Sequence, residues 1–124
     1  MKPRIVVLFL LALLGFGLGA RADCSASFLG NCSWAGGNNP ADCSFSAFYD
    51  CGSAVSSGYA WDYGDGGTGS GLLVYHTYSS PATGAAYLVS FTVTCSDSCT
   101  ATAYRYACFT LGTGGCVQPN QGWN

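Results

Sequence analysis

Hydrophobic and polar residues alternate with a period of two over several short segments of this chain. The clearest segment runs from Tyr87 to Cys95, where every second residue is apolar and most residues between them are Ser or Thr. Such alternation is typical of a β-strand with one buried face. Segments of a similar kind are 43–48, 59–63, 72–75 and 100–110. No window has the period of an amphipathic helix, so the pattern predicts an all-β protein.

Turn-forming residues separate these predicted strands. Gly64-Asp65-Gly66-Gly67 is a strong turn signal, and Ser96-Asp97-Ser98 has the length of a hairpin link. Several short strands at this spacing predict an antiparallel β-sandwich. Residues 23–42 are rich in Gly, Asn and Ser, and we expect an irregular segment with at most one short strand there. Residues 112–124 are expected to form a Gly-rich tail.

The first 22 residues have the pattern of a secretory signal peptide. Lys2 and Arg4 precede an apolar run from Ile5 to Leu18, and Ala20-Arg21-Ala22 puts small residues at the −3 and −1 positions of a cleavage site. The alternative is an uncleaved anchor, but the apolar run is at the short end for a membrane span. We therefore expect a secreted, extracellular protein without stable membrane insertion after cleavage. The mature chain, residues 23–124, has the length of one domain.

The mature chain is poor in charged side chains. Arg105 is its only basic residue against six Asp and no Glu, which gives a side-chain charge of −5. One cation cannot neutralise several phosphates, so nucleic-acid binding is excluded, as is an anionic membrane surface. His76 is the single histidine, and no Gly-x-Ser-x-Gly nucleophile motif is present. We therefore predict that the protein has no catalytic residues and is not an enzyme.

All the cysteines lie in the mature part of the chain. An even number in a short exported chain predicts disulfides, four in this case. A zinc site is the alternative, but the closest pair, Cys95 and Cys99, lacks the tight clustering of zinc ligands. The predicted disulfide cysteines are Cys24, Cys32, Cys43, Cys51, Cys95, Cys99, Cys108 and Cys116.

Residues 59–66, Tyr-Ala-Trp-Asp-Tyr-Gly-Asp-Gly, resemble the Trp-Asp-aromatic-Gly-Asp-Gly signature of PKD (polycystic kidney disease) domains. His76-Thr77-Tyr78 resembles the family's His-x-Tyr segment, and residues 84–93 resemble its Gly-x-Tyr-x-Val-x-Leu-x-Val strand. The resemblance covers about residues 43–110; the density of cysteines, the Gly-rich loop 64–71 and the unrecognised first strand depart from the family. It implies an immunoglobulin-like β-sandwich of about seven strands over residues 43–111. It also implies a non-catalytic module of extracellular proteins.

Each residue of these motifs has a structural and a functional interpretation. We expect Trp61 to be a buried core aromatic and His76 to be structural. Asp62 and Asp65 are expected to accept backbone hydrogen bonds in their turn. A Ca²⁺ site at these two residues is the weaker alternative, and no other cofactor is expected. Arg105 is expected at a solvated strand position.

Exposed aromatic residues are the candidates for surface contact. Their faces could stack on sugar rings, although a small sandwich also needs aromatics to fill its core. The main candidates are Trp34, Trp123, Tyr104 and Tyr106, and Tyr49 and Tyr75 are further tyrosines beyond the motifs. Asn31-Cys32-Ser33 matches an N-glycosylation sequon.

The cysteines divide between the two ends of the predicted sandwich. A strand from Cys43 to Cys51 would span about 26 Å, whereas the Cα atoms of a disulfide lie only about 4.4–6.8 Å apart. These two residues therefore should not pair. Cys24, Cys51, Cys95 and Cys99 should share one end, and Cys32, Cys43, Cys108 and Cys116 the other.

The function that these observations favour is a secreted, non-catalytic binding or spacer module that contacts polysaccharide or a protein surface. One alternative is a disulfide-rich secreted effector or inhibitor, which would carry an exposed loop held by a local bridge such as Cys108 to Cys116. A small secreted hydrolase is disfavoured by the scarcity of catalytic groups.

Overall fold

The computed structural model describes residues 23–110 and 116–119, and these residues form two packed antiparallel sheets. The predicted signal peptide and Trp123 lie outside the described residues. The all-β, immunoglobulin-like fold class is confirmed, and the described residues form eight strands where about seven were expected. No helix of the described residues is long and apolar enough to cross a membrane. The strands are β1 Ser25–Trp34, β2 Ala41–Asp50, β3 Ser56–Asp62, β4 Thr68–Ser70, β5 Leu73–Tyr78, β6 Ala86–Cys95, β7 Thr100–Cys108 and β8 Cys116–Pro119.

The two sheets differ in size. The smaller sheet has the order β1-β2-β5, and the larger has the order β4-β3-β6-β7-β8. In the larger sheet β6 is central, and its register is continuous with β7 from Ala86↔Cys108 to Thr94↔Thr100. The alternation between Tyr87 and Cys95 therefore becomes one core face and one outer face of this strand, as the pattern predicts.

Aromatic side chains from both sheets fill the space between them. The ring of Trp61 lies 5.0 Å from that of Phe28 on β1 and 4.9 Å from that of Phe91 on β6. Its indole N–H donates to the carbonyl oxygen of Gly71 at 2.7 Å, so the polar atom of this buried ring is satisfied. Trp61 is thus the core aromatic that its strand position predicts.

The irregular segment expected before residue 43 is instead a ten-residue strand, β1. It pairs with β2 over its full length, from Ser25↔Asp50 to Trp34↔Ala41. Its inward side chains cover the core, while small polar residues occupy most of its solvent face, which gives the segment the composition of a loop. Gly30 lies on the inward side with Phe28 and Cys32 and is small for a packing reason: a Cβ there would lie 2.5 Å from a ring carbon of Phe45.

The expected tail also contains a strand. Cys116–Pro119 forms β8 and pairs with β7 in the register Cys108↔Cys116 to Arg105↔Pro119. The sheet therefore extends one strand beyond the segment that resembles the PKD signature. Short strands of this kind give too few alternating positions to be recognised from sequence.

Disulfides connect the strands at both ends of the sandwich. Cys24–Cys99 and Cys51–Cys95 join the two sheets at one end, and Cys32–Cys43 links β1 to β2 toward the other. These bridges fall within the two groups that the strand spacing predicts. Cys108 is also disulfide-bonded, and its register neighbour on β8 is Cys116. Most of the loop between Cys108 and Cys116, on which the effector or inhibitor alternative depends, lies outside the described residues.

Candidate functional site

The turn after β3 is held by two aspartates through separate contacts. Asp62 Oδ1 accepts the N–H of Gly64 at 2.9 Å, and Asp65 Oδ1 accepts the N–H of Gly67 at 2.9 Å. Each contact spans two residues, which is the Asx-turn geometry that Asp favours beside Gly. Both carboxylates therefore stabilise the backbone of the turn itself.

Gly64 is required by the neighbouring strand as well as by the turn. Its φ angle is +84°, and a Cβ at this position would lie 2.6 Å from the carbonyl oxygen of Leu88. Only glycine satisfies both conditions without strain. The glycine at position 64 thus allows the turn to pack closely against β6.

The side chain of His76 on β5 completes this turn. Its Nε2 lies 2.7 Å from Asp65 Oδ2, and its ring stacks on Tyr63 with centroids 4.0 Å apart. The imidazole ring is nearly perpendicular to that of Tyr78, with centroids 4.6 Å apart, and the Tyr78 hydroxyl donates to the carbonyl oxygen of Tyr63 at 2.7 Å. These contacts of Asp65 and His76 with each other and with Tyr63 and Tyr78 link the turn to the smaller sheet.

The electrostatics of this cluster favour the ionised form of Asp65 and the protonated forms of its two tyrosines. Partial burial raises the pKa of the Asp65 carboxyl, but hydrogen bonds from His76 and Gly67 and the charge of His76 outweigh it, so the pKa lies below its ordinary value. Burial raises the pKa of Tyr78, and burial together with the Asp65 charge raises that of Tyr63. The tyrosine hydroxyls therefore stay protonated at neutral pH.

The cluster does not have the geometry of a nucleophilic site. In the part of the chain that is described, no Ser, Thr or Cys hydrogen-bonds to His76, whose Nε2 faces Asp65 and whose ring is covered by two tyrosines. Nor do residues 23–110 and 116–119 place three His, Cys, Asp or Glu side chains where they could hold a metal ion. Asp62 and Asp65 have separate partners, and the structure gives no support to a Ca²⁺ site between them.

A second feature lies on the solvent-facing side of the smaller sheet. Its central strand, β2, carries the small residues Ser44 and Ser46 outward, and larger residues flank them on both neighbouring strands. Ser44 lies in register between Asn31 and Tyr75, and Ser46 lies between Leu29 and Leu73. This arrangement leaves a groove along β2, which we call the β2 trough; its outer side chains are Leu29, Asn31, Ser33, Asp42, Ser44, Ser46, Phe48, Leu73, Tyr75 and Thr77.

The trough contains two adjoining depressions that share Asn31 and Ser44. Their volumes are about 380 Å³ toward Asp42 and Thr77 and about 290 Å³ toward Phe48. At one end the Asp42 carboxylate accepts the Thr77 hydroxyl at 2.8 Å. The trough is therefore an open, elongated surface with polar groups along its floor.

Large apolar side chains form the sides of the trough. Tyr75 is 74% exposed, and Leu29, Phe48 and Leu73 are each more than half exposed. Exposed apolar residues are common singly, but a contiguous set on one sheet face is typical of a contact surface. The period of two predicts this face, because Phe48 and Ser46 alternate with the buried Phe45 and Ala47. On β5 the sequence does not distinguish the two faces, because the inward and outward residues of the apolar run 72–75 are equally hydrophobic.

The aromatic residues named from sequence do not gather into one platform. Trp34 is only 6% exposed; its indole N–H donates to Asn39 O at 3.0 Å and its ring lies 5.9 Å from that of Phe109. It is a core residue, so it cannot serve as a contact aromatic. Tyr104 is 47% exposed on β7 of the other sheet, where Tyr106 also lies. Trp123 is outside the described residues.

Arg105 is not at a solvated position as expected. Its guanidinium Nε–H donates to the carbonyl oxygen of Phe28 at 2.6 Å, which ties β7 to β1 across the edge of the sandwich. An inter-sheet partner of this kind cannot be recognised from sequence, because the two residues are 77 positions apart. Arg105, the single Lys or Arg among residues 23–124, therefore has a structural contact.

Comparison with known proteins gives the chain a family. The sequence model of the PKD domain matches residues 37–107. Among solved structures, the PKD1 domain of the metalloprotease PrtV from Vibrio cholerae is similar, with a TM-score of 0.55 and 18% identity over 70% of this chain and 96% of that one. The PKD1 domain of Epp from Vibrio anguillarum has a TM-score of 0.51 and 22% identity over 69% and 94%. These identities show the fold alone, and no curated protein matches the chain.

Proposed function

Because the chain belongs to the PKD domain family, we propose that it is an exported, non-catalytic module that acts by surface contact with polysaccharide or protein. Its disulfides fit an exported protein, because such bonds persist in oxidising compartments. The similar PKD1 domain of PrtV belongs to a metalloprotease, and so accompanies a catalytic protein. We extend that accessory role to this chain.

The state of the titratable groups supports a non-catalytic role. General acid–base catalysis needs a group that is poised near neutral pH and can reach a substrate. His76 is the single histidine of the sequence, and Asp65 and two tyrosines occupy its surroundings. Carboxylate catalysis needs two acids that face each other across a cleft, whereas Asp62 and Asp65 bind the backbone of one turn.

The observation that carries the contact role is the β2 trough. A small sandwich in solution would ordinarily cover or disperse large apolar side chains, but this face keeps four of them exposed around a polar floor. The fold itself does not require these four exposed apolar side chains, because the same strands bury their other face in the core. We therefore assign the contact with the partner to this face.

One experiment separates the contact role from catalysis. The mature domain, residues 23–124, is assayed as wild type, His76→Ala and Asp62→Ala against ester, peptide and glycoside substrates. The same samples are tested for binding to immobilised polysaccharides and proteins. We expect no turnover from any form and binding by all of them. Turnover by the wild type that is lost in either folded variant would show that the protein is an enzyme.

A further inference from the structure

We propose that the β2 trough binds one extended, neutral polysaccharide chain, with Tyr75 stacked on a sugar ring. This inference rests on the proposed contact role and assigns it a site and a ligand class. Three properties of the trough carry it: its shape, its surface chemistry and its lack of charge.

The shape fits a narrow polymer. The trough runs along β2 from Asp42 to Phe48, about 20 Å at about 3.4 Å per residue. Its two depressions adjoin through Asn31 and Ser44 and follow the strand direction. A single small molecule would fill one depression, whereas an extended chain would occupy both.

A second copy of the protein fits this face less well. The smaller sheet has three strands of at most ten residues, and its flat area is about 500 Å² at the usual strand spacing. A stable interface buries about 800 Å² on each partner. The flat extent of the face alone is below this size, and its length suits a chain that lies lengthwise.

The chemistry of the surface fits sugars. Tyr75 offers an open aromatic face, which can cover the apolar C–H surface of a pyranose ring. Beside it, Asn31 and Ser44 lie in the same cross-strand row and supply an amide and a hydroxyl that can both donate and accept. These groups suit sugar hydroxyls, which also do both. An extended peptide would instead need free backbone groups, and those of β2 are paired with β1 and β5 on its two sides.

The charges around the trough favour a neutral ligand. Among the outer side chains of the trough, Asp42 is the charged one, and its carboxylate accepts the Thr77 hydroxyl. His76 also lines the larger depression, but its Nε2 faces Asp65 on the inner side of β5. Arg105, the single basic residue of the mature chain, donates to Phe28 O at the edge of the sandwich and is not among the trough residues. An acidic polysaccharide would meet only a carboxylate here and would be repelled.

The test uses the mature domain, produced in a host that forms disulfides but does not add N-linked glycans, since Asn31 lies in the trough. The probes are insoluble cellulose, chitin, β-1,3-glucan and starch, with the acidic polysaccharide pectate for comparison. Depletion from solution identifies the bound polymer, and calorimetry with its soluble oligosaccharides gives the affinity. The variants are Tyr75→Ala, which removes the stacking face, and Ser44→Phe, which fills the floor.

Tyr104→Ala is the matched control, because Tyr104 is an exposed strand tyrosine on the opposite sheet. We expect binding to at least one neutral polymer and not to pectate. Tyr75→Ala and Ser44→Phe should each weaken it about tenfold or more, and Tyr104→Ala should leave it unchanged. Thermal unfolding verifies that each variant is folded.

Each other outcome overturns the inference in a distinct way. Weaker binding by Tyr104→Ala alone would place the sugar site on the larger sheet. Binding to a protein that depends on Tyr75, without binding to any polysaccharide, would leave the contact role intact and show the ligand class to be wrong. No binding by the wild type to any of the neutral polymers would equally reject the polysaccharide site.

Discussion

Asp65 is the residue that connects the signature turn to β5. Its two oxygens serve the N–H of Gly67 and the ring of His76. Asp65→Ala should lower the free energy of unfolding by about 1–2 kcal/mol, the scale for losing a charge-assisted hydrogen bond. Asp50→Ala is the matched control, because Asp50 Oδ1 accepts only the N–H of Gly52 in a similar turn. Urea denaturation of both variants measures the difference, and an equal loss would show that His76 adds nothing.

The lowered pKa of Asp65 predicts a pH dependence of stability. A carboxyl whose folded pKa lies below its unfolded value, about 3.9, stabilises the fold above that value. This stabilisation is lost as the pH falls through the folded pKa. The advantage of the wild type over Asp65→Asn should therefore be full near pH 5 and shrink on acidification below about pH 4. Chemical denaturation at a series of pH values tests this, and a constant difference would contradict it.

Side-chain orientation was the property of single residues that sequence predicted least well. Trp34 and Tyr75 are both aromatic residues on strands of the smaller sheet, yet one is buried and the other is exposed. Their composition does not distinguish them, and only the register of each strand does. Register was readable where polar and apolar residues alternate, as around Trp61. It was not readable in β1, whose Gly and Asn content resembles a loop.

β1 depends on glycine for its packing as an element. The Cβ of an alanine at position 30 would meet the fully buried ring of Phe45, which has no room to move. Gly30→Ala should therefore lower the free energy of unfolding by about 1–3 kcal/mol through overpacking. Gly58→Ala is the control, because its Cβ would meet nothing closer than Thr94 at 4.0 Å. Similar stability of the two variants in urea would show that β1 can shift away from β2.

The disulfides are expected to stabilise the fold by different amounts. Cys24–Cys99 closes a separation of 75 residues and Cys32–Cys43 one of 11, between strands that are already paired. In the chain-entropy description longer loops give more stabilisation. Replacing Cys24 and Cys99 by Ala should cost about 4–5 kcal/mol, and replacing Cys32 and Cys43 about 2–3 kcal/mol. Non-reducing urea denaturation measures both, and the reverse order would show that packing of the buried Cys32–Cys43 bridge dominates.

At the scale of the whole molecule, the sequence was most informative about the centre of the sandwich. The PKD-like segments contain the long alternating strand β6 and the turn at Gly64, where spacing and turn chemistry agree. The edge strands β1, β4 and β8 were not predicted at their full extent, because β1 has the Gly and Asn content of a loop and β4 and β8 have only three and four residues. The β2 trough is a property of three strands together. Its floor and walls come from segments that are distant in sequence, so no single window shows it.

Export should produce a chain that begins at Asp23 and is fully oxidised. The Ala20-Arg21-Ala22 site predicts cleavage after Ala22, and Cys24, two residues later, is bonded to Cys99. Disulfides form in the oxidising compartments that an exported chain enters, so cleavage and oxidation should occur together. N-terminal sequencing of the secreted product tests the first step. Non-reducing peptide mapping tests the second and should join Cys108 to its register neighbour Cys116, while reduced cysteines or a membrane-bound product that retains Met1 would contradict export by this route.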